Sequence, residues 1–311
     1  MARSEAVLRL AYRPPYDWAH LQAFLARRAL PGVERVDARG YARTLACPGG
    51  HALIEVRALP GEEALELRVA RAPPAAAPAL AGVARRVFDL DRDPARIGAT
   101  LAADPLIGPL VAQCPGLRIP GAWDPFECAV RAVLGQQVSV AAGRTFAARL
   151  VGRCGEPLRA GGEGLTHLFP TPARLARANL AGLGMTGARA AALRSLARAV
   201  LERRVDFGDA SADVTAALAA LPGIGPWTAQ YVALRALGEP DALPQGDWVL
   251  RRMTASPGAP VLSVRELEER ARRWRPWRGY ATIHLWRAAA ELKTRAPRSA
   301  AGRAAPATPP A

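Results

Sequence analysis

The chain has 311 residues, 50% of them hydrophobic and 22% charged, which allows two folded domains and excludes a wholly disordered protein. Its formal net charge of +15 excludes an acidic protein and favours a polyanionic partner such as nucleic acid. No apolar run has the length of a membrane span or of a signal peptide core, so we expect a cytoplasmic protein with no membrane partner. The four cysteines are scattered, which favours neither disulfides nor a zinc site.

The first part of the chain mixes strand and helix patterns. "AVLRLAY" predicts a strand, and "DWAHLQAFLARRAL" predicts a helix whose N-cap is Asp17. "HALIEVR" and "ALELRVA" alternate around a "PGEE" turn and predict two strands with inward-facing Ile54, Val56, Leu65, Leu67 and Val69. An antiparallel sheet with a helix on one face is the simplest assembly. Residues 71–82 are Pro-rich and predict a connection, so we assign residues 1–82 to an α+β domain and linker.

The next two hundred residues carry helical patterns almost throughout. Glycine and proline separate the segments, as helix ends prefer. The predicted helices are "VARRVFDL", "PFECAVRAVLGQQVSVAAGRTFAARLVG", "TPARLARANLAGL", "GARAAALRSLARAVLE", "SADVTAALAAL", "PWTAQYVALRAL", "SVRELEERARRW" and "GYATIHLWRAAAELK". We therefore predict a mainly α protein, with a helical domain over 83–294 after the α+β domain. Residues 295–311 are basic and rich in Pro and Ala, which predicts a disordered tail.

"LPGIGPWTAQ" predicts a tight turn between two helices. Gly223 and Gly225 can adopt positive φ and leave no Cβ in the way, and Pro226 suits the first position of the second helix. Such a turn directs free backbone N–H groups at a helix N-terminus, which suits a phosphate. The same pattern also fits a turn that serves only close packing.

Three residues near this turn are candidates for chemistry. Trp227 and Tyr231 are four residues apart and share a helix face, either as core aromatics or as the wall of a ligand site. Asp247 follows a loop and precedes a predicted helix, "WVLRRM", so it is either an N-cap or a functional carboxylate. The helix dipole would keep that carboxylate ionised.

The motifs together resemble the helix-hairpin-helix DNA glycosylases, and the bacterial 3-methyladenine DNA glycosylase II (AlkA) group above all. "LPGIGPWTA" is followed some sixteen residues later by "GD", as in that family's signature. "YRPPYDWAHLQAFLARRALPGVE", "DPFECAVRAVLGQQVSV", "FPTPARLA", "LGM" and "RWRPWRGYATIHLW" recur in the family's order. The resemblance covers roughly residues 6 to 294.

This resemblance implies roles for individual residues. Asp247 would be the catalytic carboxylate of an enzyme that flips a nucleotide out of the duplex. The pocket for the flipped base would contain Trp227, Tyr231, Trp286 and Trp248. The DNA-binding residues would be Gln136, Gln137, Gly223, Gly225 and Thr228, with Gln137 filling the gap left by the base.

The same resemblance implies a reaction and its partners. Alkylated purines of the 3-methyladenine and 7-methylguanine type would be excised hydrolytically from double-stranded DNA, which starts base excision repair. Related enzymes that also cut the strand carry a nucleophilic lysine where this chain has Trp227, and its one lysine is Lys293, so no AP-lyase activity is expected. The alternatives are a glycosylase for oxidised or deaminated purines and a non-catalytic DNA-binding module.

No metal or cofactor is required by this chemistry. The resemblance allows a monovalent cation held by backbone carbonyls around Ala219, Leu221 and Ile224. We expect a monomer associated with the bacterial nucleoid. His284 is predicted to be a structural histidine whose hydrogen bonds are satisfied.

Overall fold

The computed structural model describes residues 4–73, 75–158, 162–209 and 211–295. An N-terminal antiparallel sheet domain precedes a helical domain, which confirms the predicted fold class. The predicted tail lies outside the described residues, apart from Arg295 at the end of the last helix. Within the described ranges, no helix is both long and apolar enough to cross a membrane.

The N-terminal sheet has five strands, all antiparallel to their neighbours. They are β1 (Ser4–Ala11), β2 (Glu34–Asp37), β3 (Gly40–Cys47), β4 (Gly50–Ala58) and β5 (Ala64–Ala72). Their order across the sheet is β1-β5-β4-β3-β2. The predictions of β1, β4 and β5 are confirmed, and the five predicted inward side chains are all buried. We did not predict β2, which is short, or β3, whose first five residues are all buried and therefore do not alternate.

Two helices cover the sheet. Helix α1 (Trp18–Ala26) starts where predicted, because the Asp17 carboxylate accepts the N–H of His20 at 2.8 Å. Helix α2 (Ala76–Val87) begins inside the segment that we predicted to be a connection, so that prediction is wrong beyond its first residues. The buried face of α2 packs on the sheet through Leu80, Ala84 and Val87. The core of the sheet domain thus continues past residue 82.

The helical domain contains eleven α-helices within the described residues. Their bounds are α3 (Pro94–Leu101), α4 (Ile107–Gln113), α5 (Pro125–Leu134), α6 (Val140–Cys154), α7 (Pro172–Arg177), α8 (Gly187–Leu201), α9 (Val214–Ala219), α10 (Pro226–Val232), α11 (Trp248–Thr254), α12 (Val264–Ala271) and α13 (Arg278–Arg295). A π-helix (Ala233–Leu237) continues α10, and a 3-10 helix (Arg272–Trp274) follows α12. Two short strands, β6 (Glu156–Pro157) and β7 (His167–Leu168), pair with each other. Helices α3 and α4 were not predicted.

Helix α5 runs through the centre of this domain and packs against α6, α8 and α10. Asp124 caps it by accepting the N–H groups of Phe126 and Glu127, at 2.7 and 3.1 Å. We predicted one long helix over α5 and α6, but the chain turns between them and Ser139 caps α6 separately. The turn, residues 135–139, is therefore a partly exposed loop between two separately capped helices.

Four charged residues join the sheet to α5, and we call them the junction network: Arg43 and Glu127, which are buried, and Glu34 and Arg131, which are partly buried. Arg43 donates to Glu127 at 2.6 Å, and Arg131 donates to Glu34 and Glu127 at 2.8 and 2.9 Å. Burial opposes the ionisation of Glu34, but Arg131 and Arg43 overcome that effect and hold its pKa at about 2. The network therefore stays charged and fixes one domain against the other.

Candidate active site

A cavity of about 500 Å³ lies where the two domains meet. Its wall includes side chains from α1 and from the C-terminal half of the chain. Those that bear on chemistry are Phe24, Arg28, Trp227, Tyr231, Asp247 and Trp286. A cavity of this volume is typical of sites that enclose a small ligand, and a purine base is smaller than that.

Asp247 lies at the N-terminus of α11, on the wall of this cavity. Its carboxylate accepts the N–H of Leu250 at 2.9 Å, so it is the N-cap of the helix. The same carboxylate accepts the indole N–H groups of Trp227 at 3.1 Å and Trp286 at 3.3 Å. Among the described residues, no arginine, lysine or histidine forms an ion pair with Asp247. Three neutral donors thus orient a carboxylate whose negative charge is not neutralised.

Three of the four aromatic residues predicted for the base pocket come together. The rings of Trp227 and Tyr231 stack with centroids 5.3 Å apart, and the ring of Trp286 lies 6.0 Å from that of Tyr231. Trp248 does not join them: it is 61% exposed and does not line the cavity. Its position next to Asp247 suggested proximity, but the first residue of a helix after an N-cap points away from the capping side chain.

The glycine turn lies between α9 and α10. Gly223 has a φ of +81°, and a Cβ there would lie 2.7 Å from the Cβ of Ala192, so both the backbone and the packing require glycine. Gly225 has a φ of −89°, so the turn uses the positive φ that glycine permits at Gly223 and not at Gly225. A Cβ at Gly225 would have no neighbour within 4 Å, so this part of the turn faces open space at the start of α10.

The loop 135–139 is tied to the glycine turn. The amide of Gln136 donates to the carbonyl of Gly223 at 3.0 Å and to the hydroxyl of Thr228 at 2.9 Å. Thr228 is buried, so its side chain serves this contact within the protein. Gln137, in contrast, is exposed and has a φ of +54°, and no hydrogen bond to another described residue involves its side chain. Of the two glutamines, only Gln137 has a side chain free to meet a partner.

A second part of the cavity wall has positively charged groups around Phe24. Arg235 donates to the hydroxyl of Tyr231 at 2.7 Å and to backbone carbonyls at 120–121, and its guanidinium carbon lies 4.7 Å from the Phe24 ring centroid. Arg28 lies against the same ring at 3.7 Å. Burial lowers the pKa of Arg28 to about 10.

We did not predict Phe24, Arg28 or Arg235 from the sequence. Each arginine lies four residues after an aromatic residue of the cavity: Arg235 follows Tyr231 along α10 and the π-helix, and Arg28 follows Phe24 in the turn just after α1. That spacing is the signal that could have identified them. The partner surface from α1 could not be inferred, because it is about two hundred residues away in sequence.

His284, which we predicted to be a satisfied structural histidine, differs from that prediction in its hydrogen bonds, and the partly buried His20 resembles it. His284 is 3% exposed, as a structural histidine should be, but its Nδ1 atom has no hydrogen-bond partner among the described residues, nor has Nε2 of His20. Burial lowers the pKa of His284 to about 3 and that of His20 to about 4. Both side chains are therefore neutral at pH 7.

Metal ligands are not clustered in the part of the chain that the structure describes, where no group of three or more His, Cys, Asp or Glu side chains could hold an ion. Of the carbonyls predicted to hold a monovalent cation, that of Leu221 accepts the N–H of Ile224 at 3.0 Å. Cation binding by the hairpin stays a prediction.

Family models match both parts of the chain. Residues 7–124 match the AlkA N-terminal domain, and residues 130–276 match the HhH-GPD superfamily base excision DNA repair protein. The DNA-3-methyladenine glycosylase 2 of Escherichia coli is 40% identical over 286 residues, which cover 89% of this chain and 95% of that protein. A probable bifunctional transcriptional activator/DNA repair enzyme AlkA of Mycobacterium tuberculosis is 39% identical over 290 residues. That match covers 90% of this chain and only 56% of the mycobacterial protein.

Solved structures share the fold. The 3-methyladenine DNA-glycosylase of Archaeoglobus fulgidus superposes with a TM-score of 0.77 at 20% identity, over 92% of this chain and 99% of that one. The 8-oxoguanine glycosylase/lyase of Clostridium acetobutylicum has a TM-score of 0.68 at 20% identity, over 91% and 97%. At these identities the likeness extends to the fold alone. Together, the matched models and the full-length similarity to the Escherichia coli enzyme mean that the chain belongs to the AlkA-type DNA-3-methyladenine glycosylase 2 family of the HhH-GPD superfamily.

Proposed function

We propose that this protein is a monofunctional DNA glycosylase that acts as a monomer and excises alkylated purines, of the 3-methyladenine and 7-methylguanine type, from double-stranded DNA. The observation that carries this proposal is the carboxylate of Asp247, which is held by indole N–H groups in an aromatic cavity and forms no ion pair with any residue that the structure describes. The names of the family relatives support the same substrate class.

The aromatic wall suits a positively charged base. Alkylation at N3 or N7 makes a purine cationic, and electron-rich indole and phenol rings attract cations through their faces. Trp227, Tyr231 and Trp286 supply three such rings around one space. Extrusion of the base from the duplex costs a few kcal/mol, which stacking against these rings offsets in part.

Asp247 stabilises the charge that develops when the base leaves. The bond between C1′ and the base nitrogen breaks, and its electron pair stays with the base, which neutralises the alkylated ring. The sugar then carries positive charge, and an uncompensated carboxylate stabilises that oxocarbenium-like state. Water adds to C1′ and loses a proton to solvent or to the carboxylate. The products are the free base and an abasic site in an uncut strand.

The glycine turn and the loop 135–139 are suited to binding the parts of the duplex that surround the flipped base. Backbone N–H groups at the start of α10 would bind a phosphate without reading sequence, since Gly225 leaves the approach open. Gln137 would enter the gap that the flipped base leaves in the stack. Gln136 and Thr228 would act indirectly, because their side chains bind each other.

Lack of strand cleavage is part of the proposal. Trp227 occupies the position where bifunctional relatives have their lysine. The one lysine of the chain, Lys293, is exposed and lies on the rim of the cavity. Borohydride should therefore trap no covalent complex with DNA that contains an abasic site. If a complex does form and disappears in Lys293→Met, the enzyme is an AP lyase that uses the rim lysine, and the monofunctional proposal is wrong.

The decisive measurement is the release of free base from duplexes that contain 3-methyladenine, 7-methylguanine, hypoxanthine or 8-oxoguanine. We expect release of both methylated bases and an alkali-labile strand that is not cut before alkali is added. Release of 8-oxoguanine alone would replace the proposal by an oxidised-purine glycosylase. Tight DNA binding with no release of any base would replace it by a binding module.

A further inference from the structure

The cavity has a direction from Asp247 to Phe24. Trp227, Tyr231 and Arg235 follow one another at four-residue spacing along α10 and the π-helix that continues it, so Arg235 lies about two helical turns beyond Trp227. Trp227 bonds to Asp247, and Arg235 lies against Phe24. Under the proposed function, on which this inference rests, the reacting sugar carbon lies at Asp247. The Watson–Crick edge of a purine is opposite its glycosidic bond and would therefore enter deepest.

The polar groups at this deep end are hydrogen-bond donors. The hydroxyl of Tyr231 accepts from Arg235, so its own proton is free to be donated into the cavity. Arg28 uses one nitrogen for a long contact of 3.4 Å with the carbonyl of Phe24. Its remaining N–H groups have no partner among the described residues. We call the Arg28 guanidinium and the Tyr231 hydroxyl the donor floor.

The acceptors close to the donor floor are already occupied. Glu34 and Glu127 line the same cavity, but both are bound to Arg43 and Arg131 in the junction network. Asp124 accepts two backbone N–H groups at the start of α5. None of these carboxylates forms an ion pair with Arg28 in the described part of the chain. The guanidinium is therefore placed for an acceptor that arrives from outside.

We propose that the donor floor selects bases that carry a keto oxygen on their Watson–Crick edge, so that guanine-type and hypoxanthine-type bases are favoured over adenine-type bases. The C6 position of 7-methylguanine and of hypoxanthine is a carbonyl, which accepts hydrogen bonds. In 3-methyladenine it is an amino group, which donates and therefore cannot accept from the floor at that position, although the adjacent N1 still accepts. A site whose donors are oriented to hydrogen-bond a ligand discriminates against an analogue that lacks the matching acceptor.

The test uses DNA treated with dimethyl sulfate, from which 3-methyladenine and 7-methylguanine are released and counted in one reaction. Arg28→Met keeps the length of the side chain and its packing on Phe24 but removes the donors. We expect its single-turnover release of 7-methylguanine to fall about tenfold more than that of 3-methyladenine, the scale of a hydrogen bond to a charged group. Tyr231→Phe should shift the ratio in the same direction by about threefold, on the scale of a neutral bond.

Two controls separate the explanations. Arg57→Met removes an equal charge from the outer face of β4, where Arg57 pairs with Glu66, and should leave the ratio unchanged. A hypoxanthine duplex tests a neutral keto base, whose release should also fall in Arg28→Met. Faster release of both methylated bases with no change for hypoxanthine would mean that Arg28 only repels cations, which would overturn the inference.

An equal fall for both methylated bases, or no change in either, would also overturn it. Melting curves of each variant identify any loss of folded protein. If the unaltered enzyme releases neither methylated base, the proposed function itself fails, and that result is distinct from an unchanged ratio.

Discussion

Glu127 and Asp247 are two carboxylates on the wall of one cavity, and their surroundings are opposite. Glu127 is bound by the guanidinium groups of Arg43 and Arg131, at 2.6 and 2.9 Å. Asp247 is bound by two indole N–H groups and one backbone N–H. Neutral donors orient a carboxylate and leave its charge available, whereas arginines cancel that charge. The arrangement at Asp247 therefore suits the stabilisation of a cation, and the arrangement at Glu127 suits a permanent link between the domains.

The same contrast recurs in other pairs of like residues. Arg43 is enclosed by carboxylates, whereas Arg28 faces the cavity with free donors. Gln136 is bonded to the glycine turn, whereas the neighbouring Gln137 is exposed. In each pair the first residue holds the protein together, and the second is free for a ligand. Pairing within the protein thus separates structural polar groups from functional ones, and mutation can test each pair.

The largest effect is expected when a residue of the junction network is replaced. Glu127→Gln leaves Arg43 and Arg131 buried with less compensating charge, and loss of one partner in a buried ion pair costs about 3–5 kcal/mol. The free energy of unfolding, measured in denaturant, should fall by that amount. Glu62→Gln is the control, because the pair of Glu62 and Arg9 is exposed and should matter little.

This variant also tests the separation of roles. Below its melting temperature, Glu127→Gln should excise bases at a rate close to that of the unaltered enzyme. A normal free energy of unfolding together with a large loss of excision would contradict the structural role that we assign to the junction network.

The next largest effect is expected for Asp247→Asn. Asparagine caps a helix about as well as aspartate, but it has no negative charge to stabilise the sugar cation. Single-turnover excision should fall on the order of a hundredfold or more, as is usual when a key electrostatic group is removed. The amide nitrogen would face the indole N–H of Trp227 or Trp286, so the free energy of unfolding should drop by about 1 kcal/mol.

Binding to undamaged duplex should be kept by Asp247→Asn, because the glycine turn and the basic surface do not change. It could only tighten as one anion leaves the interface. Near-normal excision, or a loss explained wholly by unfolding, would reduce Asp247 to the role of a helix cap.

His284 is a buried residue whose Nδ1 atom has no hydrogen-bond partner among the described residues, and we assign it no contact with a ligand. Burial, Arg287 and His20 lower its pKa to about 3, so the folded state resists the proton that the unfolded state takes up near pH 6.5. The free energy of unfolding therefore has its full value with respect to His284 above pH 6.5, and it decreases as the pH falls toward 3. At pH 5 the loss is about 2 kcal/mol.

The measurement compares the unaltered protein with His284→Gln, which does not titrate at this position. Between pH 7 and pH 5 the free energy of unfolding should fall by about 2 kcal/mol more in the unaltered protein. Other titrating groups, among them Asp89 with a pKa raised to about 6 by burial, are present in both proteins and cancel in the difference. Parallel pH curves would mean that His284 does take up a proton in the folded state.

Local patterns in the sequence predicted much of this molecule and failed where distant segments meet. The alternation in β4 and β5 and the caps at Asp17 and Asp247 depend on neighbouring residues, and they were predicted correctly. Strand β3 is buried on both faces by segments far away in sequence, so it lacks the alternation that a strand prediction requires. Arg28 and Phe24 enter the cavity only because the sheet domain packs against α5.

The glycine turn shows that prediction from the sequence is limited in the same way for single residues. Gly223 has a positive φ, whereas Gly225 has a negative φ and faces open space. The sequence shows a glycine at both positions and does not distinguish these two environments. Trp227 and Trp248 both neighbour functional residues in sequence, yet one bonds to Asp247 and the other is exposed. Sequence identifies the residue types at a site, but the direction of each side chain depends on the backbone.

The smallest effect is expected for the two adjacent glutamines, and it depends most directly on the contrast between paired and free groups. Gln137→Ala keeps a residue with a Cβ at φ of +54°, so the backbone strain is the same and only the side chain is lost. Affinity for a duplex with an abasic site should fall about fivefold, as for one hydrogen bond, because only that duplex has a gap to fill. Affinity for undamaged duplex should not change. Gln136→Ala should instead weaken binding to both duplexes equally, since it releases the loop 135–139 from Gly223 and Thr228. Equal losses for Gln137→Ala on both DNAs would mean that the exposed glutamine does not probe the gap.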